Sequence, residues 1–215
     1  MAVLIFANGD MLASGWLSPY LAQATMLLAA DGGARHLQAI GQRPDVVIGD
    51  LDSFPAVLRE EWRAASTEFV THPEAKDETD LELALLYAAA NYEDEILVFG
   101  GIGGRLDQTL ANMLLLMHPQ LRHRKIRYLT QYQQIWLVLD DTEIRGERGD
   151  LVSLIPLQGD VHVRSTSGLR WSLTDEVLTF GPARGLSNVM VDDIAAVSVR
   201  SGCLLCIHTS QLWER

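Results

Sequence analysis

Short runs of branched apolar residues recur along the first 130 residues, each separated from the next by a stretch with helical spacing. That alternation restricts the possible folds more than any other feature of the chain. The runs are residues 3–6, 26–30, 46–48, 68–71, 96–99 and 126–129. Strands that alternate with helices become neighbours in a parallel sheet, because each helix carries the chain back across the sheet face. The clearest helix follows Asp77, with Leu81, Ala84, Leu85 and Ala88 on one apolar face. A second runs from about Leu106 to Met117, and its spacing predicts that Leu110, Met113, Leu114 and Met117 point inward. From about Gln133 the rhythm changes to short strands broken by Gly, Pro, Asp and Ser, at residues 135–139, 151–155, 161–163, 177–180, 195–199 and 204–208. The expectation is an α/β N-terminal domain with a mostly parallel sheet, residues 1–131, followed by an all-β, sandwich-like C-terminal domain, residues 132–215.

Charge and hydropathy remove several classes of function. The 17 Lys and Arg against 28 Asp and Glu give a net charge of −11, shared by both halves, which disfavours nucleic-acid binding. The densest basic stretch, Arg122 to Arg127, leads directly into an apolar run and reads as a solvated loop. No apolar run approaches the roughly 20 residues of a membrane helix, and the first residues lack the pattern of a signal peptide. A soluble, cytoplasmic protein is expected. Cys203 and Cys206 form a C-x-x-C with no second pair to complete a zinc site, so they read as two buried reduced thiols.

In open α/β sheets, ligands bind beyond the carboxyl ends of the strands. The second predicted strand ends in Asp31-Gly32-Gly33-Ala34, and the third in Gly49-Asp50-Leu51-Asp52-Ser53. The fourth is followed by Lys76-Asp77-Glu78-Thr79-Asp80, and the fifth by Gly100-Gly101-Ile102-Gly103-Gly104-Arg105-Leu106-Asp107-Gln108. Taken singly, each aspartate has a structural explanation as a turn former or a helix cap, Asp77 or Thr79 among the caps. Gathered at one edge, however, Asp31, Asp50, Asp52, Asp77, Asp80 and Asp107 repel one another unless a cation is present. Oxygen ligands with no nearby His or Cys suit Mg²⁺, whose shell is completed by water and phosphate oxygens.

The glycine-rich segment lacks the third glycine of the dinucleotide fingerprint and the Gly-Lys-Ser/Thr of a Walker loop. It is either a tight strand-to-helix turn or, beside the acidic cluster, a phosphate cradle whose backbone N–H groups and Arg105 meet an anion. Lys76, one of two lysines, either adds positive charge there or is an exposed loop residue. In the β-rich half, Trp171 reads as core or as an aromatic platform for a flat cationic heterocycle. The small polar residues Ser187 and Asn188 follow downstream.

Together these segments, with Thr166 to Leu173 and Leu186-Ser187-Asn188, resemble the thiamine pyrophosphokinase family across both halves and in the family's order. The resemblance implies an α/β catalytic domain and a thiamine-binding β-sandwich in a homodimer with sites between subunits. It implies transfer of the terminal diphosphate of ATP to the hydroxyl of thiamine, releasing AMP. Asp50, Asp52 and Asp80 would surround Mg²⁺ and the triphosphate, with Asp77 and Asp107 in support. Arg105 and Gln108 would hold phosphate, Asp31, Lys76, Asp77, Gly101 and Gly104 would belong with Gln108 to the cofactor-binding set, and Trp171, Ser187 and Asn188 would line the thiamine pocket. One departure is Arg184-Gly185-Leu186, where many members carry Ser and Thr before the Ser-Asn pair. Competing readings are a diphosphokinase for another small heterocyclic alcohol such as a hydroxymethyl pterin, a non-catalytic nucleotide-binding module, and a dinucleotide-dependent oxidoreductase, which the failed fingerprint argues against.

Overall fold

A computed structural model of the chain describes residues 1–11, 15–52 and 54–214, the side chains of 213 and 214 excepted; Ser53 of the Gly49–Ser53 motif thus lies outside the described residues. The chain forms two compact units, Met1–Gln131 and Tyr132–Arg215. In the first, β1 (Ala2–Phe6), α1 (Ser18–Leu21), β2 (Ala24–Ala30), α2 (Ala34–Ala39), β3 (Val46–Gly49), α3 (Ala56–Ala64) and β4 (Glu68–Thr71) are followed by α4 (Asp80–Asn91), β5 (Glu95–Phe99), α5 (Leu106–Leu115) and β6 (Ile126–Leu129). The six strands pair in the order β6-β5-β1-β2-β3-β4, every pair parallel. Strands β1 and β3 are buried along their whole length, as expected where helices cover both faces of a parallel sheet. Phe6 and Phe99 stack across β1 and β5 with ring centroids 5.1 Å apart.

Helix α4 buries Leu81, Ala84, Leu85 and Ala88, the face its spacing predicts. It starts at Thr79, whose hydroxyl accepts the Glu82 N–H at 3.2 Å, so the cap is Thr79 and not Asp77. Helix α5 departs from expectation. It ends at Leu115 and buries no residue, and Leu106, Leu110 and Leu114 are 80, 56 and 50% exposed. Their spacing of four does make one apolar stripe, but that stripe faces away from the sheet. The basic run is not simply solvated either. Arg124 bonds Glu93 and the carbonyls of Tyr92 and Asp94, tying the approach to β6 onto the approach to β5, and Arg127 of β6 pairs with Glu95 of β5 at 2.9 Å.

The second unit comprises β7 (Gln133–Val138), β8 (Asp141–Arg145), β9 (Leu151–Ser167), β10 (Thr174–Leu178), β11 (Asn188–Val189) and β12 (Ile194–Thr209), all antiparallel. Four of the expected short strands merge into two long ones, β9 and β12, and the expected break becomes a bend. Buried positions along β9 fall on 152, 154 and 156 before Gln158-Gly159 and on 161, 163 and 166 after it; along β12 they change phase around Ser201-Gly202. One extra residue in a strand turns its side chains to the opposite face. Here the pairing slips between Ser198 and Cys203, and Gly202 takes φ 90, where only glycine is unstrained. Each long strand therefore serves two layers. The far halves pair with β8 and β10, the near halves with β7 and β11, around a core that includes Trp136, Leu154, Val163, Val197 and Leu204. Cys203 and Cys206 are buried thiols, Cys203 Sγ donating to Leu157 O at 3.1 Å. No helix among the described residues is long and apolar enough to cross a membrane.

Candidate active site

The strand order reverses beside β1, with β2 on one side and β5 on the other, which places a crevice beyond their carboxyl ends. A cavity of about 180 Å³ lies there. It is lined by the segment after β1 (Ala7 to Gly9), by Asp31 after β2, by Thr79 to Leu81 at the start of α4, by Gly100, Gly101 and Gly103 after β5, and by Gln108, Thr109, Ala111 and Asn112 of α5. Its size is below the roughly 300–1,000 Å³ of a whole small-molecule pocket, so it suits part of a nucleotide.

One backbone bond and side chains from two helices fix this cavity's backbone walls. Gly9 N donates to Gly100 O at 2.8 Å, joining the turns after β1 and β5. From α2, Arg35 Nη2 donates to Asn8 O at 2.9 Å, and His36 Nε2 lies 2.8 Å from Gly9 O. A carbonyl only accepts, so Nε2 carries the proton; burial lowers the His36 pKa despite that bond. From α5, Asn112 Nδ2 donates to Gly101 O at 2.8 Å and Thr109 Oγ1 accepts the Gly103 N–H at 3.1 Å.

Asp31 after β2, Asp50 after β3 and Asp80 at the start of α4 come from three different elements, and Lys76 pairs with the last two. Its ammonium lies 2.8 Å from Asp80 Oδ1 and 3.8 Å from Asp50 Oδ2. Its side chain is only 11% exposed, so it is not a solvated loop lysine. Burial lowers the Lys76 pKa, but the bond to Asp80 and the charges of Asp80, Asp50 and Asp31 outweigh it and raise the pKa overall. Asp31 is raised by its own burial and by the charges of Asp80, Asp50 and Asp52, against the bond from Gly32 N–H. Its Oδ1 is buried with no hydrogen-bond partner. Gly49 makes the packing possible, since a Cβ there would sit 2.8 Å from Asp31 Cβ and 3.2 Å from Asp80 Oδ1.

Among the described residues no three His, Cys, Asp or Glu side chains form a metal-ligating set. The orphaned Asp31 oxygen and the hard-oxygen donors beside it nonetheless fit Mg²⁺, which takes one or two carboxylates and fills its shell with water and phosphate.

The remaining expected residues divide. Gln108 and Gly101 line the cavity, whereas Asp50, Asp52, Asp77 and Gly104 do not. Asp52 is exposed, its backbone N–H donating to Asp50 Oδ1 at 3.2 Å, and Asp77 is exposed in the loop before α4. Arg105 and Asp107 form a bidentate pair at 3.1 and 2.5 Å outside the cavity, 70 and 64% exposed, each holding the other in its charged form. Sequence reasoning passed over Asn8, Thr109 and Asn112. Asn8 follows a strand end, the position that singled out the other loops, and Thr109 and Asn112 lie one turn apart on the α5 face toward the glycine segment.

In the second unit Trp171, Ser187 and Asn188 do come together, in a cavity of about 660 Å³ also lined by Leu154, Leu173, Leu178, Arg184 and Leu186. Trp171 is 58% exposed, which removes it from the core. Arg184, the departure noted above, pairs with Glu176 at this wall. Asn188 bonds both the N–H and the carbonyl of Trp171, and Ser187 N donates to Ser153 Oγ at 3.1 Å.

Comparison with known proteins agrees with both units. The profile described as "Thiamin pyrophosphokinase, catalytic domain" matches residues 17–129, and that described as "Thiamin pyrophosphokinase, vitamin B1 binding domain" matches residues 141–204. A thiamine pyrophosphokinase of Bacillus subtilis (strain 168) is 29% identical over 197 residues, covering 90% of this chain and 92% of that protein. Thiamine pyrophosphokinase 1 of Arabidopsis thaliana is 28% identical, covering 86% of this chain and 78% of its own. Among solved structures, thiamine pyrophosphokinase from Bacillus subtilis superposes with a TM-score of 0.86 at 29% identity, over 98% of this chain and 100% of that one. The enzyme from Geobacillus thermodenitrificans gives 0.83 at 25% identity, over 98% of both. Because the catalytic-domain match alone takes in more than half of the residues, with the vitamin-binding match following it in order, the chain belongs to the thiamin pyrophosphokinase family.

Proposed function

We propose that the chain is an ATP:thiamine diphosphotransferase, moving the terminal diphosphate of ATP to the hydroxyethyl oxygen of thiamine and releasing AMP. The observation that carries this reading is that the matched catalytic segment supplies most of an acidic, glycine-walled cavity at the switch point of a parallel sheet, while the matched vitamin-binding segment contains a larger cavity walled by an exposed indole.

Chemically, the thiamine oxygen bonds to the β-phosphorus, the bond from that phosphorus to the α–β bridging oxygen breaks, and AMP leaves with the bridging oxygen. The hydroxyl proton passes to a carboxylate at the sheet edge, Asp80 or Asp52. Backbone N–H groups of the Gly100–Gly104 segment and the Gln108 amide orient the triphosphate, with Arg105 at the rim. Asp50 and Asp80, with Asp31 behind them and Asp52 outside, would hold Mg²⁺. When bound it supplies charge neutralisation for the phosphate oxygens. Asp77 and Asp107 lie further out in supporting positions. Across the second cavity the Trp171 face suits a cationic ring system, Ser187 and Asn188 standing beside it.

A cytoplasmic homodimer with sites between subunits completes the proposal; the exposed Leu106, Leu110 and Leu114 stripe supports burial against a second copy. Measuring AMP release from ATP with thiamine and, separately, with a hydroxymethyl pterin tests the acceptor. Thiamine-dependent AMP is expected, and release with the pterin alone would reject the assignment.

A further inference from the structure

Asn188 lines the second cavity, yet most of its hydrogen-bonding capacity is already used. Its Oδ1 accepts the N–H of Trp171 at 3.0 Å and that of Val189 at 2.9 Å, and its Nδ2 donates to the Trp171 carbonyl at 2.7 Å. A primary amide has two acceptor lone pairs and two N–H donors, so the oxygen is saturated and one N–H remains. The two bonds to Trp171 grip its backbone from both sides, as a neighbouring strand would.

The segment around Trp171 is anchored on either side as well. Thr166 N donates to Leu173 O at 2.9 Å, Leu173 N to Thr166 Oγ1 at 2.8 Å, and Arg170 N to Val189 O at 2.8 Å. Gly168, at φ 69, makes the turn; a Cβ there would lie 2.2 Å from Ile194 O. The backbone is fixed on both sides of an indole that is itself 58% exposed at the cavity wall. A large aromatic group held in water on a fixed backbone meets a ligand without first losing chain entropy.

We propose that Asn188 is a positioning residue: it clamps the Trp171 backbone so that the indole stands ready as the aromatic wall of the cavity, and its influence on acceptor binding passes through Trp171. The role in acceptor binding rests on the assignment of this cavity to thiamine; the clamp itself does not.

Two measurements on the full chain test the proposal. With 5-fluorotryptophan at all five Trp positions, the Trp171 ¹⁹F resonance is assigned by its loss in Trp171→Phe. Without ligand, Asn188→Ala and Asn188→Asp should move that resonance toward the position of the free amino acid and leave the others in place. Asn188→Asp keeps both acceptor bonds but sets an oxygen against the Trp171 carbonyl, so it reads the clamp even if the alanine variant folds poorly. Second, Asn188→Ala should raise the KM for thiamine roughly 3- to 10-fold, with kcat and the KM for ATP within about twofold, and should add nothing in a Trp171→Ala background. An unmoved Trp171 resonance in both variants, or a rise in KM that multiplies fully in the double variant, overturns the proposal. If the wild-type chain does not turn over thiamine, the acceptor assignment falls, while the fluorine spectra still decide the clamp.

Discussion

Replacing Lys76 by methionine removes one positive charge from among three carboxylates while keeping an unbranched side chain of similar length. The Lys76 side chain is 11% exposed, and its partners Asp80 and Asp50, at 2.8 and 3.8 Å, are 30 and 20% exposed. An exposed ion pair contributes about 0–1 kcal/mol, and breaking a buried one costs about 3–5 kcal/mol. These partial exposures place the loss between the two, at about 2 kcal/mol, or about 4–8 °C in Tm for a chain of this length. The sign with pH follows from Asp31, whose pKa burial and then the charge of Asp80 raise above the ordinary 3.8. Loss of the Lys76 charge raises it further. A carboxyl with a raised folded-state pKa holds its proton more tightly folded than unfolded, so stability is lost as pH rises through that raised value and regained as pH falls toward 3.8. The deficit of Lys76→Met should therefore be full near neutral pH and shrink on acidification. Mg²⁺ should raise the Tm of the variant more than that of the wild type, because it supplies the missing charge. Thermal melts at low ionic strength, at two pH values and with and without Mg²⁺, measure all three effects. A wild-type Tm near neutral pH, or a drop indifferent to both pH and Mg²⁺, would refute electrostatic coupling and leave Lys76 as a packing residue.

Further outcomes follow from the same geometry. Asp80→Asn should lower turnover at least roughly a hundredfold with the fold intact, since a lost charge at the phosphate site weakens transition-state stabilisation; near-normal kcat at saturating Mg²⁺ would make Asp80 a helix-start residue only. Trp171→Ala should change stability by less than about 0.5 kcal/mol, because the side chain is largely in water, while raising the KM for thiamine about 2- to 30-fold over that for ATP; an insoluble variant would contradict the exposed placement. Gly49→Ala should displace Asp31 from Asp80 and reduce turnover with little effect on thiamine binding, read by kcat and KM together. Leu110→Glu should shift the protein toward monomer in sedimentation if the α5 stripe is covered by a second copy, and unchanged sedimentation counts against that interface.

Much of the first unit was legible because its signals are local. Strand runs, the apolar face of α4 and the polar residues at strand ends each follow from spacing within a few residues, and the structure places them as expected. The exposed face of α5 was not legible, since periodicity reveals that a helix has an apolar side and not what lies opposite it. The bends in β9 and β12 failed for a related reason. Glycine and polar residues mark an interruption, but only cross-strand pairing decides whether the strand ends or bulges, and the strand continues through Ser201-Gly202 because β9 pairs on either side, Val163 with Val199 and Leu157 with Cys203. In the candidate site, the carboxylates were singled out by position at the strand ends. Lys76 was singled out but left undecided between the site and an exposed loop, because its burial and its reach to Asp50 are set by folding; the Asn188 bonds to Trp171 depend on tertiary contacts with no sequence signature. Trp171 was undecided between core and platform because the sequence does not show that it lies in a bend between β9 and β10 and not on a strand with a buried face.

The central claim is that one step moves two phosphates. ATP labelled at the β-phosphorus, incubated with the enzyme, Mg²⁺ and thiamine, tests it directly when the products are separated and counted. Label recovered in thiamine diphosphate, in one-to-one amount with unlabelled AMP, is the predicted result. Label recovered in ADP beside thiamine monophosphate would contradict it.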